Sequence, residues 1–201
     1  MGVTFDKDGL VPAVVQDGRT GRVRMVGYVN EEALRLCRET GWLHLHSRSR
    51  GRLWKKGETS GNLHRVLGAS ADCDGDAVLL SVLPQGPTCH TGAPSCFFDL
   101  LWGVPPGGLL DRLGAAIRQR RLEMPEGSRT AALFRQGLPR IARKVGEEAV
   151  ETAVAALGEG RDRVREEAAD LLYHLLVLLE ASEVSWEEVL GVLAEREGGP
   201  P

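Results

Sequence analysis

The run Val104-Pro105-Pro106-Gly107-Gly108 constrains the fold more than any other feature, because it divides 201 residues into halves of different chemistry. Adjacent prolines lack amide donors and interrupt a helix or a central strand, and the glycines after them loosen the backbone. Before the run stand 12 Lys/Arg and 11 Asp/Glu; after it stand 13 and 17. All four cysteines (Cys37, Cys73, Cys89, Cys96) and four of the five histidines precede it. Two domains are expected, 1–104 and 105–201.

At 42% hydrophobic residues the chain can fill two modest cores, and disorder is excluded on composition. The longest apolar run, Leu171 to Leu179, contains His174 and falls short of the roughly 18 residues a membrane span needs. A net charge of −3 gives no reason to expect a nucleic-acid or membrane partner. Asp6, Lys7 and Asp8 stand where a signal peptide needs an apolar stretch, so a cytoplasmic location is expected. That location disfavours disulfides.

The first half reads as α+β: a small sheet with strands at Arg22–Val29, Leu43–Arg50 and Ala77–Leu83, and one helix. The helix starts at the N-cap candidate Asn30, carries Ala33, Leu34 and Cys37 at helical spacing, and stops before Gly41. Cys37 is thereby expected in the core. The second half reads as an all-α bundle, with helical patterns at Leu109–Leu122, Ile141–Leu157, Arg163–Ala181 and Ser185–Leu190. Ser185 and Glu188 make a capping box for the last of these. The near-continuous apolar run in the third needs burial on several sides, which points to helix partners beyond one chain.

Asp72-Cys73-Asp74-Gly75-Asp76 alternates acid with another residue, so an extended backbone would place three carboxylates on one face and the thiol on the other. Asp72, Asp74 and Asp76 suit Mg²⁺, a hard ion. Cys73, Cys89 and Cys96 suit Zn²⁺ with a fourth position for water, although spacings of 16 and 7 residues match no general zinc pattern. An EF-hand is excluded, since Gly75 is fourth rather than sixth and Leu83 is twelfth. Strict alternation in Leu43–Arg50 would put His44, His46, Arg48 and Arg50 on one strand face, and Lys55 and Lys56 extend the positive charge into Gly57-Glu58-Thr59-Ser60-Gly61. Backbone amides there could approach an anion, so Arg48, Arg50 and Lys55 are candidates for a phosphorylated ligand. In the second half Glu147, Glu148 and Glu151 share a face of one helix, as do Glu167 and Asp170 on the next. Antiparallel packing would gather four or five carboxylates, a repulsive set unless Mg²⁺ lies among them. A solvated acidic face is the competing reading.

Longer motifs carry a family resemblance. Tyr28-Val29-Asn30-Glu31-Glu32-Ala33-Leu34, Ser47-Arg48-Ser49-Arg50, Leu53-Trp54-Lys55-Lys56-Gly57-Glu58-Thr59-Ser60-Gly61, Asp72-Cys73-Asp74, Cys89-His90-Thr91-Gly92 and Ser95-Cys96-Phe97 resemble phosphoribosyl-AMP cyclohydrolase. Lys144-Val145-Gly146-Glu147-Glu148-Ala149-Val150-Glu151 and Glu167-Ala168-Ala169-Asp170-Leu171-Leu172-Tyr173-His174 resemble phosphoribosyl-ATP pyrophosphohydrolase, whose fold is MazG-like. Departures include Gly27 and Val29 for Ala and Met, His64 where Gln is frequent, and Arg129 within a Ser-Tyr-Thr position.

The resemblance implies two hydrolytic steps of histidine biosynthesis, run in the reverse of chain order, on phosphoribosyl nucleotides. It also implies a homodimer whose zinc site takes Cys73 from one chain and Cys89 with Cys96 from the other. Ring opening needs water to attack C6 of the adenine, and three thiolates blunt the acidity of zinc, so a base is wanted; His90, beside Cys89, is the candidate. A general nucleoside triphosphate pyrophosphohydrolase with a regulatory first half, and a non-catalytic zinc module, are the alternatives.

Overall fold

The computed structural model describes residues 2–103 and 108–196. They form two compact units, one ending at Gly108 and one beginning at Leu109. Of the expected Pro/Gly boundary, residues 104–107 lie outside the described residues.

The first unit runs β1 (Val11–Asp17), β2 (Val23–Val29), α1 (Glu31–Thr40), β3 (His44–Ser47), β4 (Arg52–Lys55), β5 (His64–Ala71) and β6 (Val78–Pro84). Its main sheet has the order β2-β1-β6-β5, with β1 and β6 parallel and the other pairs antiparallel. The unit is α+β, as expected, but β1, β4 and β5 were not foreseen. Pro12 disguises β1; it is tolerated because the ladder with β6 begins only at Ala13. Strand β5 continues through Gly68, Ala69, Ser70 and Ala71, small residues on an exposed sheet edge.

Alternate residues of β1 point inward, so Val11, Ala13 and Val15 meet Val29, Leu80 and Val82 in one core. Helix α1 closes over it with Ala33 and Cys37. Asn30 Oδ1 accepts the amide of Ala33 at 2.8 Å, and Gly41, at φ 72°, ends the helix in the left-handed conformation that glycine tolerates. Cys37 is buried, as expected, with its sulfur 3.1 Å from the amide of His44.

Two expectations about extended segments fail. The strand read at Leu43–Arg50 stops at Ser47; Arg48 to Gly51 turn the chain into β4, with His44 opposite Lys55 and Ser47 opposite Arg52. Arg48 and Arg50 therefore leave the strand face on which alternation had placed them. Asp72–Asp76 is likewise a bend joining β5 to β6 rather than extended chain. Asp72 closes it, its amide donating to the carbonyl of Ala77 and its Oδ1 accepting the amide of Ala77, both at 3.1 Å. Gly75 sits at φ 80°, where a Cβ would lie 2.6 Å from the carbonyl oxygen of Gly2.

The second unit is all helical: α2 (Leu109–Glu123), α3 (Arg129–Gln136), α4 (Leu138–Gly158), α5 (Arg161–Ala181) and α6 (Trp186–Arg196). Its core joins Ile117, Ile141, Leu176 and Val177. Short α3 was not foreseen; Ser128 caps it, accepting the amide of Ala131 at 3.2 Å. The expected capping box forms, with Ser185 and Glu188 bonding each other's amides. Glu148 on α4 meets His174 on α5, and Glu151 meets Glu167, so later residues of one helix face earlier residues of the other and the pair is antiparallel. Within the apolar run of α5, Leu176 and Val177 are buried while Leu172 is exposed. No helix among the described residues is long and apolar enough to cross a membrane.

Candidate active sites

In the first unit Cys89 and Cys96 lie on the loop that follows β6, near enough for each thiol to shift the pKa of the other. Hydrogen bonds from Thr91 hold the Cys89 thiol below its ordinary range, while burial and the charge of Cys89 push that of Cys96 up. A pair in which one sulfur ionises at its neighbour's expense suits a thiophilic dication. His90 Nδ1 lies 3.8 Å from the Cys89 sulfur, with the His90 side chain exposed. Cys73 is exposed on the β5–β6 loop and is not gathered with the other two. On that loop the carboxylates of Asp72, Asp74 and Asp76 approach within 4.8 Å of one another. Mutual repulsion raises the pKa of Asp76, chiefly through Asp74, while the backbone amide of Ala77 lowers that of Asp72. Such a set fits a hard cation.

The thiol loop is fastened at both ends by buried polar groups that pattern reading missed. At one end His64, fully buried, places Nε2 2.8 Å from the Thr88 hydroxyl and Nδ1 3.2 Å from the Asn62 carbonyl. The contact with a carbonyl fixes Nδ1 as the protonated nitrogen, so Thr88 donates to Nε2. Lys56 Nζ donates to the Thr88 carbonyl at 2.7 Å. At the other end Arg24 donates to the Pro94 carbonyl at 2.9 Å and accepts the amide of Cys96 on its own carbonyl at 2.8 Å. Asp17, 0% exposed, bonds the guanidinium of Arg24. Burial would raise the pKa of Asp17, but the bonds from Arg24 and Arg19 prevail and hold it low. Asp17 was findable: it is the inward-facing end of the alternation Val11, Ala13, Val15.

The proposed phosphate-binding cations are spread over the β3–β4 hairpin. Arg48 stacks on Tyr28, 3.8 Å from the ring centroid. Arg50 lines a cavity of about 400 Å³ with His46, Arg52 and Trp54. Lys55 is partly buried on β4. Gly57–Gly61 does not present a full amide cradle, because the amides of Glu58 and Gly61 are spent on the carbonyls of Lys55 and Gly57. Gly57 is required for packing: its Cβ would meet the Asn62 carbonyl oxygen at 2.3 Å.

In the second unit the α4–α5 seam brings Glu148, Glu151 and Glu167 within 4.8 Å of one another. Glu148 and Glu167 are 5% and 3% exposed. Burial, with Glu151 and Glu148 adding to it, raises the pKa of Glu167 against the opposing charge of Arg163. Carboxylates this crowded fit a dication at their centre. Lys144 Nζ holds Glu148 at 2.6 Å and Glu147 at 3.1 Å, and Arg140 and Arg143 also pair with Glu147. Glu147 thus faces cations rather than the cluster. Asp170 lines an adjoining cavity together with Tyr173 and His174. His174 Nε2 lies 3.7 Å from Glu148, and its Nδ1 is buried with no partner among the described residues.

The chain therefore pairs an α+β unit bearing adjacent thiols with a helical unit bearing buried carboxylates, donor sets that suit metal-assisted hydrolysis. Residues 25–98 match the family model of phosphoribosyl-AMP cyclohydrolase and residues 110–197 that of phosphoribosyl-ATP pyrophosphohydrolase. The chain is 47% identical over 200 residues to the histidine biosynthesis bifunctional protein HisIE of Halalkalibacterium halodurans, covering 96% of this chain and 95% of that one. Against the proteins of the same name from Xylella fastidiosa and Bacillus subtilis it is 47% and 46% identical, over 94% and 96% of this chain and 89% and 93% of theirs. It belongs to this family of bifunctional histidine-biosynthesis hydrolases.

Proposed function

We propose that residues 105–201 hydrolyse phosphoribosyl-ATP to phosphoribosyl-AMP and pyrophosphate, and that residues 1–104 then open the adenine ring of that product. One observation carries this reading: two hydrolase family matches fall in series on a chain whose two units each hold a donor set suited to its reaction.

In the first unit Cys73, Cys89 and Cys96 would hold Zn²⁺, which when bound would lower the pKa of a water in its fourth position. His90 takes the proton from the water that adds to C6. Asp72, Asp74 and Asp76 would hold Mg²⁺ beside substrate phosphate, and Arg48, Arg50 and Lys55 supply further positive charge. In the second unit Glu148, Glu151 and Glu167, with Glu147 and Asp170 at the rim, would hold Mg²⁺, which neutralises charge on the triphosphate. The same carboxylates orient the attacking water, while Lys144 stands by to meet charge on the leaving pyrophosphate.

A homodimer would complete the zinc set, since the sulfurs of Cys73, Cys89 and Cys96 do not lie within 4.8 Å of one another in one chain. Exposed apolar surface supports association: Phe98, Leu101 and Trp102 follow Cys96, and Val150, Val154 and Leu157 form one stripe on α4. A cytoplasmic location fits the free thiols.

Adding phosphoribosyl-ATP to the purified protein tests the reading. Pyrophosphate and ring-opened product should both accumulate. Pyrophosphate from ordinary nucleoside triphosphates at equal efficiency, with no ring opening, would instead favour a general pyrophosphohydrolase.

A further inference from the structure

We propose that the cleft beside the buried acids contains a second phosphate site, in which Arg120 and Arg129 hold the phosphate of the N1-linked ribosyl arm. This site makes the unit select phosphoribosyl-ATP over ordinary ATP. The proposal rests on the pyrophosphohydrolase reading above.

The cleft has a volume of about 770 Å³ and is lined by four cations, Arg120, Arg129, Arg140 and Lys144. They stand on different walls and in different states. Arg140 and Lys144 belong to α4 and are already paired with Glu147 and Glu148, next to the carboxylates that would hold a metal. Arg120 lies in the last turn of α2 and Arg129 begins α3. Arg120 donates to the Thr130 hydroxyl at 3.3 Å, and that hydroxyl lies 2.7 Å from the Tyr173 hydroxyl. Thr130 is buried, so this wall is fixed before any ligand arrives. The Arg129 side chain, on the cleft lining, makes no hydrogen bond or ion pair among the described residues.

The substrate has two charged ends, a triphosphate and the phosphate of a second ribose. A triphosphate directed to the acid cluster by bound metal runs past the α4 cations and leaves the arginines of the α2–α3 wall for the other end. Guanidinium is suited to that task because its planar fork meets two phosphate oxygens at once. ATP offers this wall nothing.

The test separates the two ends kinetically in the full-length protein. In Arg129→Gln, KM for phosphoribosyl-ATP should rise about tenfold, the worth of one charge-assisted contact. In Arg120→Gln/Arg129→Gln the rise should be larger, and Arg129→Lys should recover part of it. The inhibition constant of ATP as a competitor should stay within twofold of wild type in every case. Thermal melts monitor folding; if the double variant is unstable, the exposed single site Arg129 decides. An ATP inhibition constant that rises in parallel with KM, or a KM unmoved in Arg129→Gln, would overturn the proposal. Wild-type protein that releases no pyrophosphate from phosphoribosyl-ATP refutes the underlying activity, and this proposal with it.

Discussion

Arg24 joins Asp17 to the thiol loop: its Nε lies 3.1 Å from the Asp17 carboxylate, and another nitrogen of the same guanidinium lies 2.9 Å from the Pro94 carbonyl. Removing Asp17 strands a cation that is itself 8% exposed. Asp17→Asn should cost about 3–5 kcal/mol, the usual penalty for breaking a buried pair from one side. The folded carboxyl is held below its ordinary value near 3.8, so its contribution is complete above that value and is lost as pH falls through the folded one. Urea unfolding at pH 7 and at pH 3 measures both effects, and the variant should show the smaller loss on acidification.

His64 gives the opposite end of the loop its own pH dependence. Burial lowers its pKa from 6.5, so the folded state resists a proton that the unfolded state accepts. Stability should be full above pH 6.5 and should fall below it, by up to about 1.4 kcal/mol per pH unit, until the folded group titrates. His64→Gln keeps a side chain able to reach Thr88 but cannot titrate. Denaturation midpoints at pH 5.5 and 7.5 should lie closer together in this variant than in wild type, with His174, also lowered by burial, supplying the remainder.

The acid seam between α4 and α5 predicts a metal response. Mg²⁺ should raise the melting temperature of wild type by several degrees, because an ion bound only by the folded state stabilises it by mass action. Glu148→Gln and Glu167→Gln should lose the second unit's share of that response and lower pyrophosphate release at least about a hundredfold, since amides are poor partners for a hard cation. Ring opening of supplied phosphoribosyl-AMP should persist in both variants. Its simultaneous loss would contradict two separate sites.

Capping chemistry made α1 legible, because Asn30 and Gly41 act on their nearest neighbours. The long helices were legible for a similar reason, their period being local. Strand β1 was not, since Pro12 is acceptable only in relation to where β6 begins to pair. In Asp72–Asp76 alternation implies a strand, yet the carboxylates meet because a closed bend gathers them. Glu148, Glu151 and Glu167 came together as helix periodicity implied, but the diversion of Glu147 to Lys144 and Arg140 depends on competing ion pairs. The fasteners of the thiol loop were beyond pattern reading because Arg24 and Pro94 are 70 residues apart.

The proposal that two chains share a zinc site can be tested by mixing lesions. Neither Cys73→Ser nor Cys89→Ser should open the ring alone. Co-expressed in equal amounts, they should recover roughly a quarter of wild-type activity, because about half the dimers are mixed and each mixed dimer keeps one intact site. Heterodimers demonstrated by mass but devoid of activity would show that each chain builds its site alone.

Tied at Thr88 on one side and at Pro94 and Cys96 on the other, the loop between has surrendered most of its conformational freedom when the chain folds. In the proposed zinc site the two sulfurs are brought together when the chain folds, so that entropy is lost at folding rather than at metal capture. Slackening either tie should therefore appear first as faster metal exchange, with the fold still intact.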